Sequence, residues 1–392
     1  MKTWRAGLLI VTLLLAAIAS AHAAPPVIIG ADLETSDTTS TADDAIALGV
    51  EIAIEEINAA GGVLGGRKLV LQKTDNRGIP ARGRDNAIAL ANTPDLVAMV
   101  VSKFSAIAME QLDVIHEQKL PMLDAWAAAD AIVENTAKPN YAFRLSLTDS
   151  WAMQALLKHA RSRGLYKIGV VAPANVWGRS CLAAIERDLA RNRGVVVSVQ
   201  SYYWGGEKTL AKHYRAIREA GAQAVILIAN EADGALLVKD IASLPPADRL
   251  PILSHWGILT GRFIELSGEA LNQVDLVTVT TRTLIPARNA AAKKLIARGT
   301  AYFKVDDPAK IIALPGLAHA YDLTHLLARA INKAGSTDRE KIRAALESLP
   351  PYEGAIKRYQ PAFTASRHEA LSVQNVHIAR FTADGRVVLL ED

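Results

Sequence analysis

The chain of 392 residues is 50% hydrophobic and 21% charged, which excludes both a disordered polymer and a disulfide-stapled miniprotein; its length predicts two or three domains. Forty-four lysines and arginines against 40 acids give a formal charge of +4, too small and too dispersed for a nucleic-acid surface. The single cysteine, Cys181, excludes an internal disulfide and any zinc cluster built from cysteines, and reads as a small buried apolar residue.

Lys2 and Arg5 precede an apolar run from Ala6 to Ala19, and Ala21-His22-Ala23 then supplies a small-x-small cleavage pattern. The run is shorter than the roughly 20 residues that span a bilayer. Residues 1–23 are therefore expected to be a secretory signal peptide cut near Ala23. No cysteine follows it to carry a lipid anchor, and no later stretch reads as a membrane span, so the product is expected to be soluble and exported.

Short β-rich apolar runs then alternate with amphipathic stretches, the pattern of βα units around parallel sheets. Strands are expected at Val27 to Ala31, Leu69 to Gln72, Leu96 to Val101 and Pro121 to Asp124, with helices at Asp43 to Ala60, 81–91 and 106–118. Gly61-Gly62 stops the first helix because glycine takes the left-handed conformation without a Cβ penalty. After a connecting stretch, Tyr141 to Thr148, a second series places strands at Lys167 to Ala172, Val195 to Gln200, Ala224 to Ala229 and Pro251 to Ser254. Helices at 151–163, 178–192, 208–220 and 232–243 separate them. The remainder holds a strand at Asp275 to Thr281, helices at 315–334 and 338–348, and a strand pair at Val376 to Phe381 and Arg386 to Leu390. These pieces complete the two earlier sheets, so the expectation is an α/β protein of two doubly wound, Rossmann-like lobes joined by three crossovers. The lobes are expected at 24–146 with 280–349, and at 147–279 with 350–392.

Catalytic spacing is missing: there is no G-x-S-x-G elbow, H-E-x-x-H, S-x-x-K or phosphate-binding P-loop. Gly61 to Gly66 follows a helix and precedes a strand, the reverse of a dinucleotide fingerprint, and reads as a turn. His319 and His325 are six residues apart on a helix and face different ways, so no metal site is expected there. No enzyme activity and no cofactor are expected, and nothing in the chain binds ATP. The polar loop Thr35 to Thr41 lies at the carboxyl end of the first strand, where ligands of open α/β sheets bind. Ser105 stands between a strand and a helix, where its hydroxyl and the N–H groups that follow, beginning with Ala106, can receive an anion; a plain helix cap is the other reading. Trp126, in the loop after Asp124, is either a ligand platform or a cover for the core edge.

The stretch "GVEIAIEEINAAGGVLGGRKLVLQKTD" at Gly49 to Asp75 resembles the early helix-turn-strand segment of the branched-chain amino-acid-binding family, the type I periplasmic solute-binding proteins of ABC importers. "YAFRLSLTD" at 141–149, "KIGVVAPANVWG" at 167–178 and "HAYDLTHLLARAINKAGSTDREKIRAAL" at 319–346 extend the resemblance in order along the chain. It implies a two-lobed, monomeric protein that closes on a small ligand and hands it to an ABC permease; a ligand-sensing receptor subunit of the same fold is the alternative.

In that family a serine and main-chain N–H groups after the third strand hold the ligand's carboxylate, a position that falls on Ser105. A second hydroxyl in the next loop is replaced here by Ala127 and Ala128. The usual aromatic residue before the first helix of the second lobe corresponds to Trp177, and the acid that pairs with the ligand's ammonium is replaced by Trp256. Arg144 matches a family arginine and is expected to be structural. A buried ammonium without a carboxylate costs several kcal/mol, whereas an indole face returns about 0.5–2 kcal/mol. The expected ligand is therefore a small aromatic carboxylate rather than an α-amino acid. Glu231 could still take an ammonium, as a branched-chain amino-acid binder would require, or could join Asn230 and His255 in recognising a ring hydroxyl or carbonyl. Lys103 either strengthens carboxylate binding or is a solvated loop lysine.

Overall fold

The computed structural model describes residues 24–36, 41–281 and 284–390; the expected signal peptide and most of the polar loop 35–41 lie outside them. The first layer is built from β1 (Val27–Leu33), α1 (Thr41–Ala59), β2 (Leu69–Asp75), α2 (Pro80–Ala91), β3 (Leu96–Val101), α3 (Ser105–Glu117), β4 (Met122–Asp124) and β5 (Ala142–Arg144). Its strands pair in parallel in the order β2-β1-β3-β4-β5. β3 is buried at every residue, as a central parallel strand covered on both faces must be.

The second layer follows with α4 (Asp149–Ser162), β6 (Lys167–Pro173), α5 (Val176–Leu189), β7 (Val195–Tyr202), α6 (Ala211–Glu219), β8 (Ala224–Leu227), α7 (Glu231–Ala242), β9 (Ile252–Ser254), α8 (Phe263–Ser267) and β10 (Leu276–Thr281). The chain then returns to the first layer through α9 (Ala290–Phe303), α10 (Leu314–Ala334) and α11 (Arg339–Leu346), and forms the small pair β11 (Tyr352–Glu353) and β12 (Arg358–Tyr359). It ends on β13 (Val376–Phe381) and β14 (Val387–Leu389), which join the second sheet antiparallel and give the order β14-β13-β10-β9-β8-β6-β7. These are two lobes around parallel sheets, and the chain passes between them three times.

Four local readings differ from the sequence expectation. The stretch 141–148 contains β5, a strand too short for periodicity to register. The helix expected from 208 starts at Ala211, because Thr209 Oγ1 and the Leu210 N–H are drawn to the Asp240 carboxylate. α9 was not expected; its Ala292, Leu295 and Gly299 bury one face, and Gly299 lies against Leu317 of α10. Residues 350–371, expected in the second lobe, hydrogen-bond to the first: Asp322 of α10 accepts from the Ala355 and Ile356 N–H groups and the Tyr359 hydroxyl, and the Arg144 N–H donates to the His368 carbonyl. A buried carboxylate with no cation beside it needs such donors, and this segment supplies three.

α1 packs along α10, and Gly49 marks their closest approach. A Cβ on Gly49 would lie 2.3 Å from the Leu317 carbonyl oxygen. Gly49→Ala should gain about 1 kcal/mol of helix propensity but force two backbones apart, a packing cost of about 1–3 kcal/mol. The expected net result is a lower urea midpoint with an unchanged m-value, which equilibrium denaturation measures.

Candidate ligand site

The carboxyl ends of β3 and β4 in the first lobe face those of β6, β8 and β9 in the second, where the loops after these strands form a narrow pocket that opens to solvent. Eight of the residues singled out from the sequence line it: Lys103, Ser105, Ala106, Trp126, Ala128, Trp177, Asn230 and Trp256. Ala127, Glu231 and His255 do not.

Ser105 opens α3, and Phe104 is the residue that caps it by position, without a side-chain bond. Ile107 and Ala108 donate to the Phe104 carbonyl, so the orphan N–H groups of the helix start belong to Ser105 and Ala106. Ser105 Oγ accepts from the Ala128 and Ala129 N–H groups, each at 3.2 Å, and ties the helix start to the loop after β4. Its own proton is then directed away from those donors. A helix start with a hydroxyl and a nearby cation is a receptor for an anion.

That cation is Lys103. It is buried rather than solvated, with Nζ 2.9 Å from the Glu34 carboxylate and 4.7 Å from the centroid of the Phe104 ring. Burial pulls its pKa down, but Glu231, Asp43 and Glu34 outweigh burial and hold the ammonium above its ordinary value. Asp43 is itself engaged by the N–H groups of Glu34 and Lys103 and by the Ser102 hydroxyl.

The three tryptophans expected at the ligand position all line the pocket, but two of them also pack on each other. Trp126, from the loop after β4, and Trp256, from the loop after β9, stack on each other across the lobes at 4.4 Å and 19° and are 2% and 1% exposed. Two flat apolar faces bury a large area on one another, so each indole has one face occupied by the other while still lining the pocket. Trp177 remains a wall. Its Nε1 donates to Asp149 Oδ1 at 3.2 Å, and the imidazole of His255 packs edge-on to it at 5.0 Å. His255 lies behind that wall, 3.0 Å from the same carboxylate oxygen. Glu231 opens α7 and accepts from the Thr260 hydroxyl, while Thr260's carbonyl accepts from Thr41 Oγ1 and the Ala42 N–H of the first lobe. Ala127 is held from both sides, its N–H on Asp124 and its carbonyl on Arg144.

Four lining residues were not anticipated: Phe104, Asn175, Trp204 and Gly257. Phe104 and Gly257 adjoin residues that were, and Asn175 is the capping residue of α5, its side chain accepting from Gly178 N–H. Trp204 follows β7 in the turn "YYWGG" and meets Phe104 edge-to-face at 4.8 Å, roofing the pocket from the second lobe. An aromatic-glycine turn at the carboxyl end of a strand was the available signal.

The loop after β4 also carries a pH-sensitive group. Asp124 accepts from the Trp126 and Ala127 N–H groups, and burial pushes its pKa from 3.8 to about 7 against the pull of Arg144. An acid whose folded pKa lies above its unfolded one binds its proton more tightly when folded. Its stabilisation is complete below pH 3.8 and is lost as pH rises through about 7. Asp32, Asp233 and Asp322, raised by burial to about 6, act in the same direction. His319, lowered by burial to about 4, acts oppositely: its contribution is present above pH 6.5 and lost as pH falls through about 4. Asp124→Asn is therefore expected to lose less stability than the wild type as pH rises towards 7, read from urea midpoints along the pH series.

Two doubly wound lobes, with an aromatic-lined pocket between the carboxyl ends of their strands, define the architecture of a two-lobed binding protein. The model of the family described as "Periplasmic binding protein" matches residues 26–386, and the chain belongs to this family, in its type I, branched-chain amino-acid-binding branch. A curated relative, the Leu/Ile/Val-binding protein BraC3 of Rhizobium johnstonii, is 25% identical over 309 residues, 78% of each chain. A type 1 periplasmic binding protein from Bordetella pertussis shares the fold with a TM-score of 0.83 at 20% identity, over 94% of this chain and all of that one. An ABC-transporter solute-binding protein of Rhodopseudomonas palustris, solved in complex with benzoate, shares it at 0.75 and 18% identity, over 93% and 95%.

Proposed function

We propose that the chain is the solute-binding component of an ABC importer, exported to the periplasm on removal of residues 1–23, and that it carries a small aromatic carboxylate to an inner-membrane permease. The observation that carries this reading is the pairing of an anion-accepting helix start, Ser105 and Ala106 beside the buried Lys103 ammonium, with aromatic walls from Trp177, Trp204 and Phe104. The carboxylate sits on the helix start, and the ring lies against Trp177 under the Trp204 roof. Asn175 and Asn230 supply amides for a ring substituent. Closure turns about the three crossings, with Thr41 and Ala42 reaching Thr260 in the closed form. The neighbours' names support both sides of the ligand question, since BraC3 is named for leucine, isoleucine and valine and the Rhodopseudomonas protein holds benzoate. Within this chain, the carboxylate best suited to an α-ammonium, Glu231, is outside the pocket lining and engaged by Thr260.

Thermal-shift measurements on the purified protein test this reading, with benzoates, hydroxybenzoates, phenylpropenoates and aryl keto acids against leucine and valine. A ligand at about 100 times its Kd stabilises by roughly 2.7 kcal/mol. Stabilisation by an aromatic acid and none by leucine or valine is expected. Stabilisation by leucine or valine with none by the aromatic acids would overturn the carboxylate-plus-ring assignment and hand the ammonium to Glu231.

A further inference from the structure

Behind Trp177 the second lobe buries a cluster that the pocket does not expose. Asp149 opens α4, Cys181 lies in α5 and His255 follows β9, and these three elements bring a carboxylate oxygen, a sulfur and an imidazole nitrogen within 4.8 Å of one another. All three side chains are 0% exposed. Asp149 Oδ1 receives His255 Nε2 and Trp177 Nε1, but Asp149 Oδ2 and His255 Nδ1 have no hydrogen-bond partner. The Cys181 thiol also hydrogen-bonds to the Asp149 carboxylate, so the three facing groups share protons that a metal ion can replace.

The donor set selects the ion. A thiolate and an imidazole with one carboxylate suit zinc and its borderline-soft neighbours, whereas magnesium and calcium require oxygen ligands throughout. Zinc–ligand bonds of about 2.0–2.3 Å put tetrahedral donors roughly 3.3–3.8 Å apart. The cluster therefore needs a contraction of up to about 1.5 Å along its longest edge, while the His255–Asp149 edge, 3.0 Å as a hydrogen bond, opens by a few tenths of an ångström as the metal replaces its proton. Trp177 Nε1 can keep its bond to Asp149 Oδ1, because an oxygen bound to a metal retains a lone pair for a donor.

We propose that Asp149, Cys181 and His255 form a site for a single zinc-class divalent cation, buried in the second lobe against the wall of the ligand pocket. Binding exchanges the Cys181 thiol proton, released to water, for a sulfur–metal bond; no redox partner is needed. The ion would clamp α4, α5 and the loop after β9 together and so hold Trp177 in place.

Because the groups are buried, the metal is offered during folding. Untagged protein is unfolded in denaturant with chelator, refolded with Zn²⁺ or Co²⁺ or with neither, and desalted. Native mass spectrometry is expected to show one ion per folded chain, and the cobalt form a thiolate-to-metal charge-transfer band in the near ultraviolet. Cys181→Ser should remove that band, and His255→Gln should weaken ion retention by more than about tenfold. Wild-type protein with native circular dichroism but no retained ion would overturn the proposal, as would a cobalt spectrum unchanged by Cys181→Ser. Should Cys181→Ser not fold, ion content of the folded wild type and of His255→Gln decides by the same criteria. No organic ligand enters the measurement, so it stands or falls separately from the transport reading.

Discussion

Trp256→Ala is expected to cost about 3–5 kcal/mol of folding stability, the range for deleting a buried large aromatic side chain. Trp256 is almost fully buried, and one of its faces is occupied by Trp126 from the other lobe. The stack continues into the first lobe, because Gly316 of α10 lies so close under Trp126 that a Cβ there would come within 2.9 Å of the indole. Of the total, about 0.5–1.5 kcal/mol belongs to ring–ring geometry and the rest to transfer and cavity. Truncation opens an apolar slot of indole size beside Trp126, and an apolar cavity binds an apolar guest. Added indole should raise the melting temperature of Trp256→Ala and leave the wild type unchanged. Urea midpoints give the first effect and thermal shift the second; a variant within about 1 kcal/mol of the wild type, well below the range for a buried large aromatic, would mean that the stack is not formed in solution.

Arg144→Leu is expected to lose about 3–5 kcal/mol, the cost of removing one partner from a buried ion pair. The guanidinium is fully buried and binds the Glu369 carboxylate at 2.6 Å and the carbonyls of Ala127 and Ala129 at 3.1 and 2.8 Å. It therefore fastens segment 364–371 to β5 while holding the loop that carries Trp126 and Ala128. Its loss leaves one carboxylate and two carbonyls without their donors. The double variant Arg144→Leu/Glu369→Leu should recover part of the loss, because an apolar pair leaves less buried charge unpaired. Urea denaturation of the single and double variants measures both, and equal stability of the two would assign the cost to the carbonyls and to Asp124, 4.0 Å from the guanidinium, rather than to Glu369.

Much of the fold was legible because parallel strands buried on both faces read as unbroken apolar runs and their helices as 3.6-residue stripes. Leu96 to Val101 and Ala224 to Leu227 stand out on that ground alone. β5, β11 and β12 were not legible: two or three residues hold no period, β11 and β12 pair only with each other, and β5 is held by a partner far along the chain, where the Ala370 N–H donates to the Arg144 carbonyl. α9 was missed although its composition favours helix and it follows β10, because its buried face is only Ala292, Leu295 and Gly299, too small to stand out as an apolar stripe.

At the site, the sequence alone determined the loops from which the pocket is made, since a ligand in an open α/β sheet meets the carboxyl ends of the strands and those ends are marked by where apolar runs stop. It also determined the residue types there: Ser105 at a helix start, Lys103 beside it, and tryptophans at 126, 177 and 256. Tertiary structure alone decided how those groups are spent. Lys103 is paired with Glu34, Trp126 stacks on Trp256 across the lobes, and His255 turns away to Asp149 beside Cys181. The reason is physical: position in the chain places a side chain on a loop, but its partner is set by which distant elements the fold brings beside it, and each of these pairs joins residues more than 60 positions apart.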